Sequence, residues 1–570
     1  GVGYVVGDKA ILTDVTATFP SGAATAIMGP SGAGKTTLLD ILADKAKLGE
    51  VVGSVTFGGA EYSHALRRGV AYVADYPTLL PTLTVREALA TSARLQLPAT
   101  ASATEISRLV ETAVSQFLID GVIDSRIAKL SAGELKRAHI AAATIGNPLL
   151  LLLDEPTSGL DAFSARCVVQ CLKDYAANSH SANAPVVAMT IHQPSESVFR
   201  LFDHVLLLSH GRAIYHGSPL TIADELVAAH GQQVIAQTPA EAALEVASNW
   251  HPEHRPVGKG LALEPADADD PNVVTKLCAE RARLGLIAAE QTVLLIWRGW
   301  VHLTRKPGIL ALQFVISSLV AFGITAMYHD LQKDLPSVVA RGGLIAFNCL
   351  WVALVNLSVV EVIASERSTI DTERHSGLYR SGAYILSKLV DDVLLLRVLP
   401  SIVAACITYF AVGFRQDAAG FFGYVGIQIL FSVTMTLLAT ALAAATRSFG
   451  VASLAYGFTV IYYFAFGGFV SSRDSLPSGL GWLLYTSPFF LTLEPVMINE
   501  LHGQLCTFTP RDETGAPSTR TITLACDQYL FNLGLHPKYL GTDLGVLIAW
   551  CAVFSIAAVS AITLGVAPAR

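Results

Sequence analysis

The sequence contains few charged residues. Only 15% of its 570 residues are Asp, Glu, Lys or Arg, whereas soluble domains average about 25%. The shortage is uneven, because residues 1–290 have the composition of an ordinary globular domain and apolar runs of membrane-spanning length recur from Ile309 onward. The composition therefore indicates one soluble domain fused to one membrane domain rather than a series of soluble domains.

The sequence also lacks an excess of basic residues. Lys and Arg number 39 against 46 Asp and Glu, which gives a net charge of -7. Proteins that bind nucleic acids usually carry a basic surface, so we expect no nucleic-acid partner.

Cysteine is sparse, with eight residues in all. Cys167, Cys171 and Cys278 lie in the soluble half, and none of them belongs to a C-x-x-C pair. They are predicted to be small buried hydrophobic residues in a reducing compartment.

Residues 1–230 alternate strand-like and helix-like segments. Continuous apolar runs bounded by turn residues are typical of buried parallel strands. Three such runs are AATAIM before a glycine-rich loop, LLLLLDE at 149–155 and VVAMTIH at 186–192. The pattern predicts an α/β domain over 1–247, followed by a linker over 248–280 that is rich in Pro, Asp, Glu and His.

Residues 281–570 are predicted to form an all-α membrane domain. A cationic amphipathic helix with two Trp, at 285–306, suits the inner face of a membrane. Six spans are placed at about 309–328, 342–363, 386–413, 421–445, 451–470 and 542–566. The positive-inside rule puts Arg305, Arg367 and Arg374 in the cytosol together with the soluble domain. We therefore expect an integral multi-pass protein with an extracytoplasmic loop at 471–541. The plasma membrane is our expectation for its location, although the sequence does not name the membrane.

Residues 29–36, GPSGAGKT, match the pattern G-x-x-x-x-G-K-[ST]. Glycines let backbone N–H groups close around phosphate oxygens at a helix N-terminus. Lys35 would reach the β and γ phosphates of ATP, and the Thr36 hydroxyl would hold Mg²⁺. A chance glycine-rich turn fits poorly, because an apolar strand precedes the loop and a helical segment follows it. The candidate ATP-binding residues here are Gly29, Pro30, Ser31, Gly32, Ala33, Gly34, Lys35, Thr36 and Thr37.

A second apolar strand ends in two adjacent carboxylates. Asp154 and Glu155 directly follow Leu149–Leu153. Asp154 is predicted to bind Mg²⁺ and Glu155 to polarise the attacking water. On its own this signal is weak, but PTSGLD follows it immediately.

Four motifs in order resemble the ATPase domain of an ABC transporter. They are GPSGAGKT, LSAGE at 130–134, LLLLLDEPTSGLD at 149–161 and IHQPS at 191–195. The resemblance implies that Glu155 is the catalytic base and that His192 contacts the γ-phosphate. It further implies that Asp161 crosses a dimer interface and that Tyr4 stacks on adenine. The signature segment, Ser131, Ala132, Gly133 and Glu134, would cap ATP held by the glycine loop of a partner subunit.

The order of the two domains resembles the G (White) subfamily of half-transporters. The segments LPTLTVREAL (80–89) and ERHSGLYR (373–380) are similar to that subfamily. KLVDDVLLLRVLPSIV (388–403) and YTSPFFLTLEPVMINEL (485–501) look closest to its multidrug branch, the breast-cancer-resistance-protein type. The implied fold is an α/β P-loop ABC ATPase domain followed by a six-helix ABC-2 (G-type exporter) domain.

The resemblance implies an ATP-driven efflux half-transporter for amphipathic small molecules, including xenobiotics, or for lipids and sterols. One chain has one glycine loop and one signature segment, so a complete nucleotide site needs two chains. They would form a homodimer, or a heterodimer with another half-transporter. A weakly hydrolysing partner subunit of a heterodimeric sterol or lipid transporter remains the alternative.

The resemblance also assigns residues outside the ATP site. The cytosolic segment 365–380 would be the coupling segment, through Glu366, Arg367, Glu373 and Arg374, although a solvated turn is an open alternative. Cys506 and Cys526 would form the disulfide of the outer loop, in an oxidising compartment. The substrate cavity would be lined by Trp351, Leu354, Phe458, Ile461 and Phe464, with Phe469 and Val470 as an apolar plug. These aromatic and apolar side chains suit flat, hydrophobic ligands, although each of them could equally face lipid or another helix.

Two residues depart from the family pattern. Asp75 stands where the family has Gln, and Ala132 stands where Gly is usual. Asp is shorter than Gln but is itself a good Mg²⁺ ligand, so the predicted Mg²⁺ ligands are Thr36, Asp75 and Asp154. We expect hydrolysis to be slowed rather than abolished, and we expect the methyl group of Ala132 to loosen the closed dimer slightly.

An Asp75→Gln variant should hydrolyse ATP faster than the natural chain, because Gln restores the longer side chain that the family uses to hold Mg²⁺. The measurement is the ATPase rate of the purified protein. The Glu155→Gln variant, assayed separately, gives the baseline rate without the predicted catalytic base. An unchanged rate would contradict this expectation.

Overall fold

The computed structural model describes the greater part of the chain. The described residues are 1–45, 49–57, 59–61, 69–76, 78–178, 184–230, 238–250, 286–328, 331, 334–446, 448–471, 473, 476–477, 479–508 and 522–564. The chain divides into two compact units. The first consists mainly of Gly1–Leu294 and Ser368–Arg380, and the second of Leu295–Arg367 and Ser381–Val566. The linker predicted at 248–280 lies almost wholly outside the described residues.

The first unit is built on a six-stranded sheet. Its strands in spatial order are β11 (Arg212–Gly217), β10 (His204–Ser209), β3 (Ala24–Met28), β9 (Val186–Thr190), β8 (Leu150–Leu153) and β7 (Val70–Val73). All neighbours pair in parallel except β10 and β11. Every residue of β3 and β8 is buried, because a parallel sheet is covered on both faces. The apolar runs seen in the sequence are thus the centre of the sheet.

A smaller antiparallel sheet accompanies it. It contains β2 (Lys9–Val15), β1 (Val2–Val6) and β4 (Glu50–Val52), in that spatial order. A separate two-stranded sheet pairs β5 (Thr56–Phe57) with β6 (Ala60–Glu61). The α-helices of the first unit are Lys35–Leu42, Val85–Gln96, Ala103–Gln116, Ala132–Thr144, Ala162–Asn178, Glu196–Phe199, Ile222–His230 and Pro239–Asn249. The predicted α/β architecture of this domain is confirmed.

The rest of the chain is mostly helical. Its α-helices are Ala288–Arg305, Pro307–Met327, Leu335–Val355, Leu357–His375, Ser381–Lys388, Leu399–Val412, Ala418–Ala445, Phe449–Ala465, Phe490–Leu501, Cys526–Asn532 and Leu540–Leu564, with a π-helical stretch at Leu389–Val398. Among the described residues, five helical stretches are long and apolar enough to cross a membrane. The helices at Leu335–Val355 and Leu357–His375 are separated by Asn356 alone and together supply one of these spans.

The fifth predicted span is shorter in the structure than in the sequence interpretation. It was placed at 451–470, whereas its helix covers Phe449–Ala465, which is 17 residues. The chain turns at Gly468, where φ is +87° and an added Cβ would lie 2.7 Å from Cδ2 of Phe490. Only glycine fits that conformation and that close contact, so the helix cannot continue to Val470.

The predicted outer loop, 471–541, contains a buried helix. In Phe490–Leu501 all residues except Asn499 are buried. This helix packs against Ala418–Ala445 and Leu540–Leu564. It is followed by a two-stranded sheet, β12 (Leu505–Phe508) with β13 (Ile522–Ala525), and Cys506 forms a disulfide with Cys526.

Candidate functional site

The glycine loop, residues 29–34, connects β3 to the helix Lys35–Leu42. Gly29 has a φ of +149° and Gly34 a φ of +97°. A Cβ at Gly29 would lie 2.2 Å from the carbonyl oxygen of Leu208, and one at Gly34 would lie 2.5 Å from Cδ2 of Leu12. Both positions therefore require glycine. The loop leaves the first N–H groups of the helix directed at an approaching anion.

The side chain of Lys35 folds back over the loop. Its Nζ donates to the carbonyl oxygens of Gly29 at 2.8 Å and Pro30 at 3.0 Å. Burial lowers the pKa of Lys35, while the nearby carboxylates of Glu155 and Asp154 partly offset that effect. A buried ammonium group with only two carbonyl partners can still take a phosphate oxygen as a third acceptor.

A hydrogen-bonded chain joins the ends of three parallel strands. Thr190 Oγ1, at the end of β9, donates to Asp154 Oδ1 at 2.7 Å and accepts from the backbone N of Glu155 at 2.8 Å. Thr36 Oγ1 donates to the same carboxylate oxygen at 3.4 Å. Two neighbouring ligands of Mg²⁺, each at about 2.1 Å, lie roughly 3.0 Å apart, so Thr36 and Asp154 fit this ion in both chemistry and spacing.

Glu155 and His192 line one cavity of about 440 Å³. Glu155 follows the buried strand β8 and has a φ of +44°, which is rare for a residue other than glycine. His192 is exposed and lies two residues beyond Thr190. The cavity brings a residue with a carboxylate and a residue with an imidazole together beyond the ends of β8 and β9, where a water molecule can enter.

The signature segment, residues 131–134, forms the start of the helix Ala132–Thr144. Ser131 Oγ accepts from the backbone N of Glu134, and the Glu134 carboxylate accepts from the Ser131 backbone N at 2.8 Å and hydroxyl at 2.7 Å. These hydrogen bonds with Ser131 lower the pKa of Glu134. Glu134 thus has a local capping role, whereas Ser131 and Ala132 are exposed.

Asp161 is also tied into its own helix start. Its carboxylate accepts from the backbone N of Phe163 and of Ser164, both at 3.0 Å, and from the Ser164 hydroxyl at 2.7 Å. A Cβ at Gly133 would lie 3.2 Å from the same hydroxyl. The signature segment therefore lies against Ser164, whose hydroxyl donates to Asp161.

Asp75 has a partner that the sequence did not suggest. Lys136 Nζ donates to the backbone oxygen of Asp75 at 2.6 Å and to its Oδ1 at 3.4 Å. Burial lowers the pKa of Lys136, against the effect of Asp75 and, more weakly, of Asp154 and Glu155. The Asp75 carboxylate is 53% exposed, so it is paired but open to solvent.

Tyr4 does not fit its predicted role. It is 5% exposed and packs in the hydrophobic core with Leu12, Ile27 and Leu38. A ring enclosed by the core has no free face for adenine, and we leave it out of the site.

The coupling segment, 365–380, is not a short loop. Its first part continues the helix Leu357–His375, and the boundary between the two units falls within this helix, after Arg367. Glu366 accepts from Lys388 Nζ at 2.9 Å and from the Tyr384 hydroxyl at 3.1 Å. Burial opposes the ionisation of Glu366, but Lys388, together with Arg298 and His302, holds the pKa of Glu366 below its ordinary value.

The other three coupling residues have different surroundings. Arg367 donates to the backbone oxygens of Thr446 and Ala443. Arg374 is half-buried. Glu373 lines a cavity of about 100 Å³ within the first unit, together with Tyr72, Gln96, His139 and Gly377. Here Thr78 Oγ1 is 3.0 Å from His139 Nε2, and burial lowers the pKa of His139 to about 4.

The residues proposed for the substrate cavity separate into two groups. Leu354, Phe458 and Ile461 are 50%, 71% and 66% exposed, and Phe469 and Val470 are 49% and 62% exposed. Phe469 lies against Gly343, where an added Cβ would be 3.4 Å from its ring. Trp351 is half-buried and lines an internal cavity near Arg397 and Gln428. Phe464 packs on the core instead, with its ring 6.1 Å from that of Phe489.

Sequence reasoning missed three residues that contact predicted site residues. Thr190, Lys136 and Lys388 each contact their partners over 22 to 61 positions of the chain. Thr190 carried a usable signal, because it ends an apolar strand just before His192. Nothing in the sequence pattern pointed to the two lysines.

Comparison with known proteins matches both halves of the chain. Residues 12–158 match the family "ABC transporter", and residues 290–501 match "ABC-2 type transporter". An Arabidopsis thaliana protein, "ABC transporter G family member 4", is 31% identical over 500 residues, covering 86% of this chain and 83% of the relative. The Sus scrofa "Broad substrate specificity ATP-binding cassette transporter ABCG2" is 29% identical, covering 93% and 86%. "ABC transporter G family member 22" of Dictyostelium discoideum is 27% identical, covering 95% and 90%.

Replacing Thr190 with Val should slow ATP hydrolysis by about tenfold or more, because Asp154 and Glu155 lose the hydroxyl that positions them. It should also destabilise the protein by about 1 kcal/mol, since the partly buried N–H of Glu155 loses its acceptor. The measurements are the ATPase rate and thermal unfolding.

Thr190→Ser is the matched control, because it keeps the hydroxyl and removes only a methyl group. It should retain most of the rate. Equal losses in the Val and Ser variants would show that packing, and not the hydrogen bond, accounts for the effect.

Proposed function

Because the chain belongs to the G family of ABC transporters, whose ATPase activity is coupled to transport, we propose that it works as a homodimer that exports amphipathic small molecules or lipids. The membrane would be the plasma membrane, with the ATPase domain in the cytosol. The chain is an integral membrane protein with an ATP-binding domain. The homodimer, the class of substrate, the plasma membrane and the cytosolic side of the ATPase domain are what we propose in addition.

The observation that carries the proposal is the hydrogen-bonded chain Thr36–Asp154–Thr190–Glu155 at the glycine loop. A carboxylate beside the loop, a second carboxylate facing a cavity and a nearby histidine are the groups that phosphoryl transfer to water requires. One chain supplies one glycine loop and one signature segment, which supports assembly in pairs.

The residues divide the work of hydrolysis between them. Lys35 and the loop N–H groups bind phosphate oxygens, and Thr36 with Asp154 would hold Mg²⁺, which neutralises phosphate charge when it is bound. Glu155 accepts a proton from the attacking water, and the hydrogen bond from its backbone N to Thr190 fixes its position. His192, on the same cavity, donates to the terminal phosphate.

The class of substrate follows from the exposed apolar side chains of the membrane helices. On the helix Phe449–Ala465, Val451, Leu454, Phe458 and Ile461 are each more than half exposed, and they recur at the spacing of one helix face. A face of this kind, paired with the same face of a second copy, would make an apolar cavity for flat amphipathic ligands. The name of the Sus scrofa relative describes that protein as having broad substrate specificity.

A second candidate is a partner subunit with weak hydrolysis of its own. It is favoured by the pairing of Asp75 with Lys136, because a carboxylate already bound to an ammonium group is less available to Mg²⁺. This candidate shares the ATP site and differs in needing a distinct second half-transporter.

The purified chain in nanodiscs should hydrolyse ATP, and apolar aromatic compounds, sterols or phospholipids should stimulate it. The measurement is the ATPase rate across a panel of these three classes, with Glu155→Gln as the control without a catalytic base. Hydrolysis at the Glu155→Gln level throughout would contradict the homodimer and favour the partner subunit.

The pair Glu366–Lys388 should couple ATP use to transport, because it holds the helix that carries the coupling segment against the helix that follows it. Glu366→Lys should leave ATP hydrolysis within about twofold but lose its stimulation by substrate, since it sets two like charges together. The double exchange Glu366→Lys with Lys388→Glu should restore part of the stimulation.

Glu196→Lys supplies the control, because it breaks an exposed pair with Arg200. It should change neither the rate of ATP hydrolysis nor its stimulation by substrate. If Glu366→Lys were stimulated by substrate as strongly as the natural chain, the pair would have no coupling role.

A further inference from the structure

A nearly buried lysine lies among three carboxylates beside the ATP site. Lys136 belongs to the helix Ala132–Thr144, which the signature segment starts, and its side chain is 7% exposed. Its ammonium group contacts Asp75, and the carboxylates of Asp154 and Glu155 lie near enough to favour its charge. The residue at the predicted Mg²⁺ position, Asp75, therefore already has a cationic partner within the protein.

The two contacts from Lys136 to Asp75 differ in kind. The 2.6 Å bond goes to the backbone oxygen and remains whatever side chain stands at position 75. The 3.4 Å contact goes to the carboxylate, which is 53% exposed. A long, half-solvated ion pair is weak. Another cation can therefore displace the Lys136 ammonium group from the Asp75 carboxylate, while the bond from Lys136 to the backbone oxygen stays in place.

A carboxylate cannot serve both cations fully. A divalent cation draws carboxylate oxygens to about 2.1–2.6 Å, and an ammonium group at the same oxygens repels it. Competition for the Asp75 carboxylate is the direct consequence.

We propose that Lys136 is a positioning residue that holds the Asp75 carboxylate and so weakens the binding of Mg²⁺ with ATP at the glycine loop. This inference rests on the proposed function, since it assumes that the loop binds ATP with Mg²⁺. Lys136 is on the helix Ala132–Thr144 and Asp75 follows β7, and the backbone bond from Lys136 and the contact between Thr78 and His139 still join the two when the side-chain contact is lost. The chain thus carries its own competitor for the metal ligand at position 75.

The test is the free Mg²⁺ concentration that gives half-maximal binding of a fluorescent ATP analogue. It uses the full chain in nanodiscs, with Glu155→Gln in every sample so that nothing is hydrolysed. Lys136→Gln should lower this concentration by about threefold, the scale of one half-exposed ion pair. Asp75→Asn alone should change the Mg²⁺ concentration for half-maximal binding by less than about twofold, because the carboxylate that this substitution removes is held by Lys136 in the parent.

The double variant decides whether Asp75 mediates the effect. Lys136→Gln combined with Asp75→Asn should match Asp75→Asn alone, since there is no carboxylate to release. Lys136→Arg, which keeps the charge, should match the parent, and Lys129→Gln, at an exposed lysine, should also match it. Lys136→Met provides a second uncharged variant in case the Gln variant folds poorly.

Three outcomes would overturn the inference. These are an unchanged or raised Mg²⁺ requirement in both uncharged variants, an equal shift with and without the Asp75 carboxylate, and a shift in Lys129→Gln as large as that in Lys136→Gln. If the parent bound no ATP analogue at any Mg²⁺ concentration, the proposed function would fail as well. If the parent bound the ATP analogue but the effect of Lys136→Gln did not depend on the Asp75 carboxylate, this inference alone would be overturned and the proposed function would stand.

Discussion

The hydrogen bond from Thr190 to Asp154 is the contact on which the site depends. It links the ends of β9 and β8, and the same hydroxyl accepts from the backbone of Glu155. Strands of a parallel sheet present their carboxyl ends at one edge, so a glycine loop after β3 and two carboxylates after β8 necessarily meet there. Asp154 and Glu155 are fixed by the sheet itself, and their carboxylates need no long flexible segment to bring them to the phosphate.

Several charged side chains in the described part of the chain are paired with a group that is distant in sequence. Arg341, which is fully buried, contacts Glu500 at 3.4 Å, and Glu366 pairs with Lys388. Isolated buried charges are costly, and paired ones contribute less to stability than to specifying which segments meet. In this chain the pairs lie between helices of the second unit, and Lys136–Asp75 plays the same part beside the ATP site.

The sequence was informative where the physics is local. A glycine loop, an apolar strand ending in acids, and long apolar helices are each recognised from adjacent residues, and the fold of both domains follows from them. The sequence was not informative where the surroundings of a residue depend on the helix face that it occupies or on a partner that is distant in the chain. Phe458 and Phe464 are six positions apart on one helix, yet one is exposed and the other packs on the core. The helix Phe490–Leu501 was missed because an outer loop was expected there. The adenine-stacking role predicted for Tyr4 does not fit, because its side chain is buried by packing that the local sequence pattern does not show.

The central claim is that two copies of the chain share the nucleotides that they hydrolyse. Nanodiscs that contain one copy can be separated from those that contain two, and the ATPase rate per copy can be measured in each. We predict hydrolysis in the two-copy discs and a rate no higher than that of Glu155→Gln in the one-copy discs. Equal rates per copy in both would contradict the account.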